Sequence, residues 1–330
     1  MVKIGLIGCG FIGDVHARCY HALYDKDVVV NAVCDIQKDR AEKAALIFNC
    51  SAYTDGDEMI KNADIDTVDV CLPTYLHTKY ACAAMENGKN VFLEKPVCLT
   101  PEEGERLINL QRKTGVSVMV GQVVRMWKEY KWLADAVSGG IYGKVLSARF
   151  YRQSTRPLWP WENWLEDPAK GGTMALDFHV HDVDFMRSVF GEPKSVSSHA
   201  MRSKNGIIQQ IYSHFDYGDK TVTVDGCWED AKSYPFGASF KVTFEEATAE
   251  LYGGNITVYL KNGGKICPEL HDENEQYAEL GAYYSELKYF IKRISLGLPI
   301  EIATLDDSVK TVELVLKEIE NAGGAVKTGK

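Results

Sequence analysis

The chain has 330 residues, 45% of them hydrophobic and 25% charged, with a formal net charge of −9. That length points to two domains, since single cores rarely grow past about 250–300 residues. The acidic balance argues against general binding to nucleic acid or an anionic membrane. No apolar run approaches the roughly 20 residues that span a bilayer. The apolar N-terminus lacks a small-residue cleavage site and reads as a first strand rather than a secretion signal.

That strand, Val2 to Ile7, runs into Gly8-Cys9-Gly10-Phe11-Ile12-Gly13 and a helical segment; a second apolar strand, Val28 to Cys34, ends on Asp35. Strand, glycines, helix, strand and acid in this order form the dinucleotide-binding fingerprint. Gly8 permits the tight turn, Gly10 lets the backbone approach a pyrophosphate, and Gly13 lets helix pack close to strand. The helix N-terminus turns free N–H groups and a positive dipole end toward the phosphates. Asp35 would accept hydrogen bonds from both adenosine ribose hydroxyls and repel a 2′-phosphate, which favours NAD over NADP.

A helix over Lys38 to Phe48 follows, then a buried strand, Thr67 to Leu72, and a helix, Leu76 to Asn87, closed by Gly88. Strand Asn90 to Leu93 precedes a helix with Thr100 as N-cap, Pro101 at its first position and Glu103 at its third. It ends at Gly115, and Val116 to Val120 makes one more strand. This alternation predicts an α/β fold for residues 1–122: a doubly wound parallel sheet with helices on both faces.

Beyond Gly121 the rhythm changes. A helix near Trp127 to Val137, a strand around Val145 to Tyr151, a loop rich in Trp and Pro, and a helix near Met174 to Val189 are expected. Strands follow at Ser195–Met201, Ile207–Tyr217, Thr221–Trp228, Ser239–Phe244, Ala249–Leu251 and Ile256–Leu260, with Gly-rich turns between several of them. They predict a large, mostly antiparallel open sheet. Helices Tyr277–Ile294 and Leu305–Asn321 finish the chain. Residues 123–330 thus read as an α+β domain for substrate binding and oligomerisation, with a C-terminal helix able to pack back on the first domain. A broad sheet face needs cover, which predicts a homodimer or homotetramer.

The nine cysteines form no C-x-x-C pair, and several sit inside apolar strands. An odd, scattered set fits a reducing cytoplasm rather than a disulfide framework.

Ligands of an open α/β sheet lie at the carboxyl ends of its strands. Thr74 and His77 follow one such strand, able to touch a cofactor ribose or phosphate; the plainer alternative is an N-capping Thr and a surface His. Glu94-Lys95-Pro96 ends the next strand. Lys95 there can donate to a substrate hydroxyl and stabilise a developing alkoxide, although an exposed Lys beside a Glu is more often a solvated ion pair. Gln122 and Arg125, just past the last strand, can also reach the crevice. In the second domain, Asp177, His181 and Asp184 fall at i, i+4 and i+7, on one face if the segment is helical. An imidazole flanked by carboxylates suits a general base, and Asp177 could instead bind a substrate hydroxyl. His179 and His181 point apart on a helix, which argues against a metal pair.

Together the glycine loop, Glu94-Lys95-Pro96 and Asp177-x-x-x-His181-Asp182-x-Asp184 resemble the glucose–fructose oxidoreductase / inositol dehydrogenase (Gfo/Idh/MocA) family in order and spacing. The resemblance implies that Lys95, Asp177 and His181 surround an oxidised carbinol, with His181 taking the hydroxyl proton and the hydride passing to NAD. It implies a cofactor site of Gly8, Gly10, Phe11, Ile12, Gly13, Asp35, Thr74, His77, Glu94, Lys95 and Gln122, with no metal. The loop Trp159-Pro160-Trp161-Glu162-Asn163-Trp164 departs from the family in its aromatic content. Its Trp161 and Trp164, with Arg125, Arg152, Asp177 and His181, are expected to meet the substrate, a polyol or sugar; the loop could equally be a lid or a subunit contact. The expected activity is oxidation of a secondary hydroxyl of a cyclitol or sugar ring by NAD. Alternatives are an enzyme that keeps its NAD and oxidises a glycoside transiently, and a non-catalytic NAD sensor of the same fold.

Overall fold

A computed structural model describes residues 1–23, 27–270 and 275–323. The chain divides into two compact units, Met1–Met126 with Glu273–Lys310, and Trp127–Asp272 with Thr311–Lys330. They are therefore not two contiguous stretches: a segment near the C-terminus belongs to the first.

In the first unit, β1 (Val2–Ile7), α1 (Phe11–Leu23), β2 (Val28–Cys34), α2 (Lys38–Phe48), β3 (Ser51–Tyr53), α3 (Gly56–Asn62), β4 (Thr67–Val70), α4 (His77–Glu86), β5 (Asn90–Glu94), α5 (Pro101–Thr114) and β6 (Val118–Gly121) alternate. The strands form one parallel sheet in the order β3-β2-β1-β4-β5-β6. Every residue of β4 and β6 is buried, as expected of strands covered on both faces. The order reverses between β1 and β4, and the ends of those strands frame the crevice where such sheets take their ligands. Neither β3 nor α3 was anticipated. Three residues are too few to show a period, though Asp55 is a readable cap: its Oδ1 accepts the Asp57 and Glu58 N–H groups at 2.8 and 3.1 Å. The α5 signals act as read, with Thr100 accepting the Glu103 N–H at 3.3 Å and Gly115 left-handed at φ 73°.

The returning segment has a packing reason. In α8 (Gly281–Ser295) Leu287, Phe290 and Ile291 are buried with Leu6, Val30 and Phe92 of the sheet, and Phe92 meets Phe290 edge-on at 5.3 Å. Ala303 then accepts the Val120 N–H at 3.0 Å, so the β6 edge is covered.

The second unit opens with α6 (Lys128–Ser138), β7 (Val145–Thr155) and α7 (Val180–Phe190), followed by β8 (Ser195–Arg202), β9 (Ile208–Asp216), β10 (Thr221–Glu229), β11 (Gly237–Phe244), β12 (Ala247–Tyr252), β13 (Asn255–Leu260) and β14 (Lys265–Ile266). These make an eight-stranded sheet, antiparallel except where β10 runs parallel to β7. On its inner face Tyr130 of α6 and Phe185 of α7 meet edge-on at 4.8 Å and pack over Phe150 and Phe240. The last helix, α9 (Leu305–Asn321), carries residues of both units.

Candidate functional site

All the cofactor candidates of the first unit lie at the carboxyl ends of its strands, and the three glycines meet different surroundings. Gly8, at φ +94°, would place a Cβ 2.3 Å from the Cys71 carbonyl oxygen. A Cβ on Gly13 would fall 1.8 Å from the Gly8 carbonyl oxygen, so only glycine lets α1 sit this close to its own loop. A Cβ on Gly10 meets nothing within 4 Å: open space where a pyrophosphate would lie. Asp35 bridges the loop from the end of β2, with Oδ2 accepting the Cys9 N–H at 2.9 Å and Oδ1 the Gln37 N–H at 2.8 Å. Each oxygen keeps accepting capacity for a ribose hydroxyl. Thr74 Oγ1 and Gln122 Oε1 are buried polar atoms with no hydrogen-bond partner, and such atoms call for a ligand or water. These features fit a dinucleotide. Phe11 is exposed and Ile12 half-buried at the rim of the loop. Burial pushes the Cys9 thiol up to about 12, which leaves no thiolate there.

Three expectations for this unit change. His77 is neither a surface residue nor open to a cofactor: it is fully buried, with Nδ1 2.8 Å from the Pro96 carbonyl oxygen and Nε2 2.7 Å from that of Leu72. Burial lowers its pKa, and its role is to tie two strand-end turns together. Glu94 is not a solvated partner of Lys95; it is 5% exposed and its Oε1 lies 3.2 Å from His16 Nε2. Its Oε2 accepts the Lys95 backbone N–H at 3.2 Å, while the Lys95 side chain is half-buried and its bond to Pro96 is cis. Arg125 forms an ion pair with Asp307 at 2.5 Å.

In the second unit, the segment before α7 starts as a π-helical turn, Ala175–His179, not the α-helix anticipated. Such turns often mark functional sites. Thr173, just before it, is left-handed at φ 62°, a conformation that costs a non-glycine residue about 1–3 kcal/mol. The change of pitch lies ahead of α7, and His181 and Asp184 both fall within α7. Asp177 and His181 are half-buried, whereas Asp184 is buried and accepts the Thr311 hydroxyl at 3.0 Å. His179 is buried against Glu318 of α9 at 2.8 Å.

Asp177 lines a cavity of about 570 Å³ with Phe178, Trp159, Trp228, Arg156 and Lys232. Phe178 and Trp228 form one wall, their rings 6.4 Å apart. Trp159 is exposed in the loop opposite, and Arg156 meets Glu166 and Asp230 at 3.3 and 3.4 Å. Trp228 and Lys232 were missed; Trp228 closes an alternating strand, the one signal that could have marked it. One substrate candidate is corrected. Arg152 is 2% exposed and donates to Asp182 through Nε at 2.6 Å and an Nη at 3.2 Å. Trp164 is half-buried and packs on the cluster of Leu165, Met174, Ile208 and Trp228. Trp161 remains exposed.

Residues 2–122 match the model of an oxidoreductase family with an NAD-binding Rossmann fold, and residues 130–250 match the GFO/IDH/MocA C-terminal domain. The myo-inositol 2-dehydrogenase of Thermotoga maritima is 26% identical over 317 residues, covering 92% of both chains. The D-glucoside 3-dehydrogenase of Escherichia coli is 25% identical over 97% of this chain and 95% of its own. Among solved structures, levoglucosan dehydrogenase in complex with NADH and levoglucosan aligns at a TM-score of 0.85 and 20% identity, covering 98% of this chain and 97% of its own. An oxidoreductase from Agrobacterium radiobacter, in complex with NAD+, L-tartaric acid and magnesium, aligns at 0.86 and 18%, covering 98% and 96%. At these identities the structures share the fold.

Proposed function

Because the chain belongs to the Gfo/Idh/MocA family of NAD-binding oxidoreductases, we propose that it oxidises a secondary hydroxyl of a cyclitol or sugar ring to a ketone. The observation that carries this reading is the cavity around Asp177. Its aromatic walls suit the C–H faces of a polyol ring, and Asp177 accepts from ring hydroxyls while Arg156 donates to them. The relatives named for myo-inositol and D-glucosides point to the same class of alcohol.

In this reading Lys95 donates to the carbinol oxygen and steadies its developing negative charge. His181 takes the hydroxyl proton, and Asp177 holds the ring. NAD, when bound, accepts the hydride that leaves the carbinol carbon, so one alcohol yields one ketone, one NADH and one proton. Cofactor selection rests with Asp35, whose carboxylate repels a 2′-phosphate. Tyr151, Tyr212 and Tyr259 on the outer sheet face support a homo-oligomer, and unpaired cysteines support a reducing compartment such as the cytoplasm.

The test is NADH formation, followed by absorbance, on a panel of inositols, hexoses and glucosides. Turnover should appear with at least one ring polyol and fall about 10²–10⁴-fold in Lys95→Ala and His181→Ala. Near-wild-type turnover in both variants would overturn the assigned roles. NADH binding with no turnover across the panel would favour a sensor, and retained cofactor with no net NADH a transient oxidation.

A further inference from the structure

The first unit contains a buried polar cluster that the dehydrogenase reading leaves without a task. His16 on α1 is fully buried, with Nδ1 2.8 Å from Asp69 Oδ2 and Nε2 3.2 Å from Glu94 Oε1. Tyr20, one turn further along α1, donates to the same Asp69 oxygen at 2.8 Å. Cys71 Sγ lies 3.2 Å from His16 Nδ1 and 3.4 Å from Asp69 Oδ1. Glu286 enters from α8 with no exposed surface, and neither of its oxygens has a hydrogen-bond partner. One ligand atom each from His16, Glu94 and Glu286 lies within 4.8 Å of the others.

Carboxylate oxygens face both ring nitrogens of His16. A neutral imidazole carries one N–H, so in either neutral tautomer one ring nitrogen would turn its lone pair on a carboxylate. The doubly protonated ring presents an N–H to each side: a hydrogen bond to Asp69 at 2.8 Å, and at Glu94 a charge contact at 3.2 Å that does not reach hydrogen-bond geometry. Burial disfavours that cation, but the Asp69 carboxylate beside Nδ1 favours it and the pKa is raised above the ordinary histidine value; Cys71, whose own pKa burial raises, is a thiol and adds no charge. Burial and the neighbouring Glu94 charge push Glu286 well above the ordinary glutamate value, so it stands as a neutral acid that limits the negative charge of the cluster.

We propose that His16, held as an imidazolium between Asp69 and Glu94, is a positioning residue for Lys95. The link is Glu94: one oxygen faces His16 and the other accepts the Lys95 backbone N–H at 3.2 Å. Gly121 hems the carboxylate in from the next strand, since a Cβ there would come 2.7 Å from Glu94 Oε1. His16 thus fixes the turn from which the lysine departs without touching substrate. The proposal rests on the dehydrogenase reading for what Lys95 does, but not for the state of His16.

Two measurements on the full chain test it. In ¹⁵N-histidine NMR, with the His16 signal assigned by its loss in His16→Gln, both ring nitrogens should carry protons at neutral pH. A single-proton tautomer would overturn the proposal, as would one equivalent of bound metal in the purified protein. In kinetics on the polyol best used by the wild type, His16→Gln and His16→Leu should cut kcat about ten- to a hundredfold, with KM for NAD within about twofold and Gln retaining more activity than Leu. Variants that lose thermal stability yet keep wild-type kcat below their melting point would show a structural role alone and refute the idea. Should no polyol be turned over, the dehydrogenase reading fails by itself, and the NMR result still decides the charge on His16.

Discussion

Gly13→Ala and Gly10→Ala, three residues apart, separate the two jobs assigned to the glycine loop. At Gly13 the added Cβ would sit 1.8 Å from the Gly8 carbonyl oxygen, and both atoms beside it belong to backbone. An unstrained contact needs about 3.5 Å, so α1 must retreat by roughly 1.7 Å from its loop. Overpacking of this kind costs about 3 kcal/mol, which lowers Tm by about 6–12 °C at 2–4 °C per kcal/mol. At Gly10 the same methyl meets nothing within 4 Å. There the cost is that of a weaker N-cap, about 0.5–1 kcal/mol. The methyl instead fills the space kept for pyrophosphate, and NADH affinity should fall about tenfold or more, at least 1.4 kcal/mol. Thermal melts of the apo protein and titration by NADH fluorescence measure both. The reasoning fails if Gly10→Ala binds NADH within twofold of wild type, or if Gly13→Ala is as stable as Gly10→Ala.

Asp35→Ser should weaken NADH binding by about 1.5–3 kcal/mol through lost charge-assisted hydrogen bonds and raise affinity for NADPH; parallel titrations with the two dinucleotides give the ratio, and an unchanged ratio would sink the selectivity argument. Arg152→Met strands the buried Asp182 carboxylate and should cost about 3–5 kcal/mol in urea unfolding, with Asp182→Leu in the same chain restoring much of the loss. Glu286 has a folded pKa above its unfolded one, so the stability it lends is present below the ordinary glutamate value and is lost as pH rises toward the elevated one. Glu286→Gln cannot ionise, and its Tm relative to wild type should climb as pH rises above the ordinary glutamate range; a flat difference refutes the raised pKa.

Much of the first unit was legible because its signals are local. Three glycines, an acid at the end of the next strand and a capped helix at Thr100 each express what a few consecutive φ/ψ pairs allow. The misreadings share another cause. His77 looked available to a cofactor because its two carbonyl partners come from Leu72 and Pro96, neither of which its own helix turn reveals. Arg152 looked available to a ligand because nothing in its strand discloses Asp182 on a later helix. Asp184 left the set that α-helical spacing had grouped because it is buried against Thr311, far along the chain.

Sequence alone therefore determined the alternating and β-rich architectures, the dinucleotide loop and the residue types able to move a proton. Period and backbone conformation are properties of neighbouring residues. Only the tertiary structure decided which polar groups are desolvated and by whom they are satisfied: His16 between two carboxylates, Asp182 closed by Arg152, Asp177 left facing an aromatic cavity. Burial turns the same side chain from a ligand contact into a structural tie, because a buried charge must find its partner wherever in the chain that partner lies.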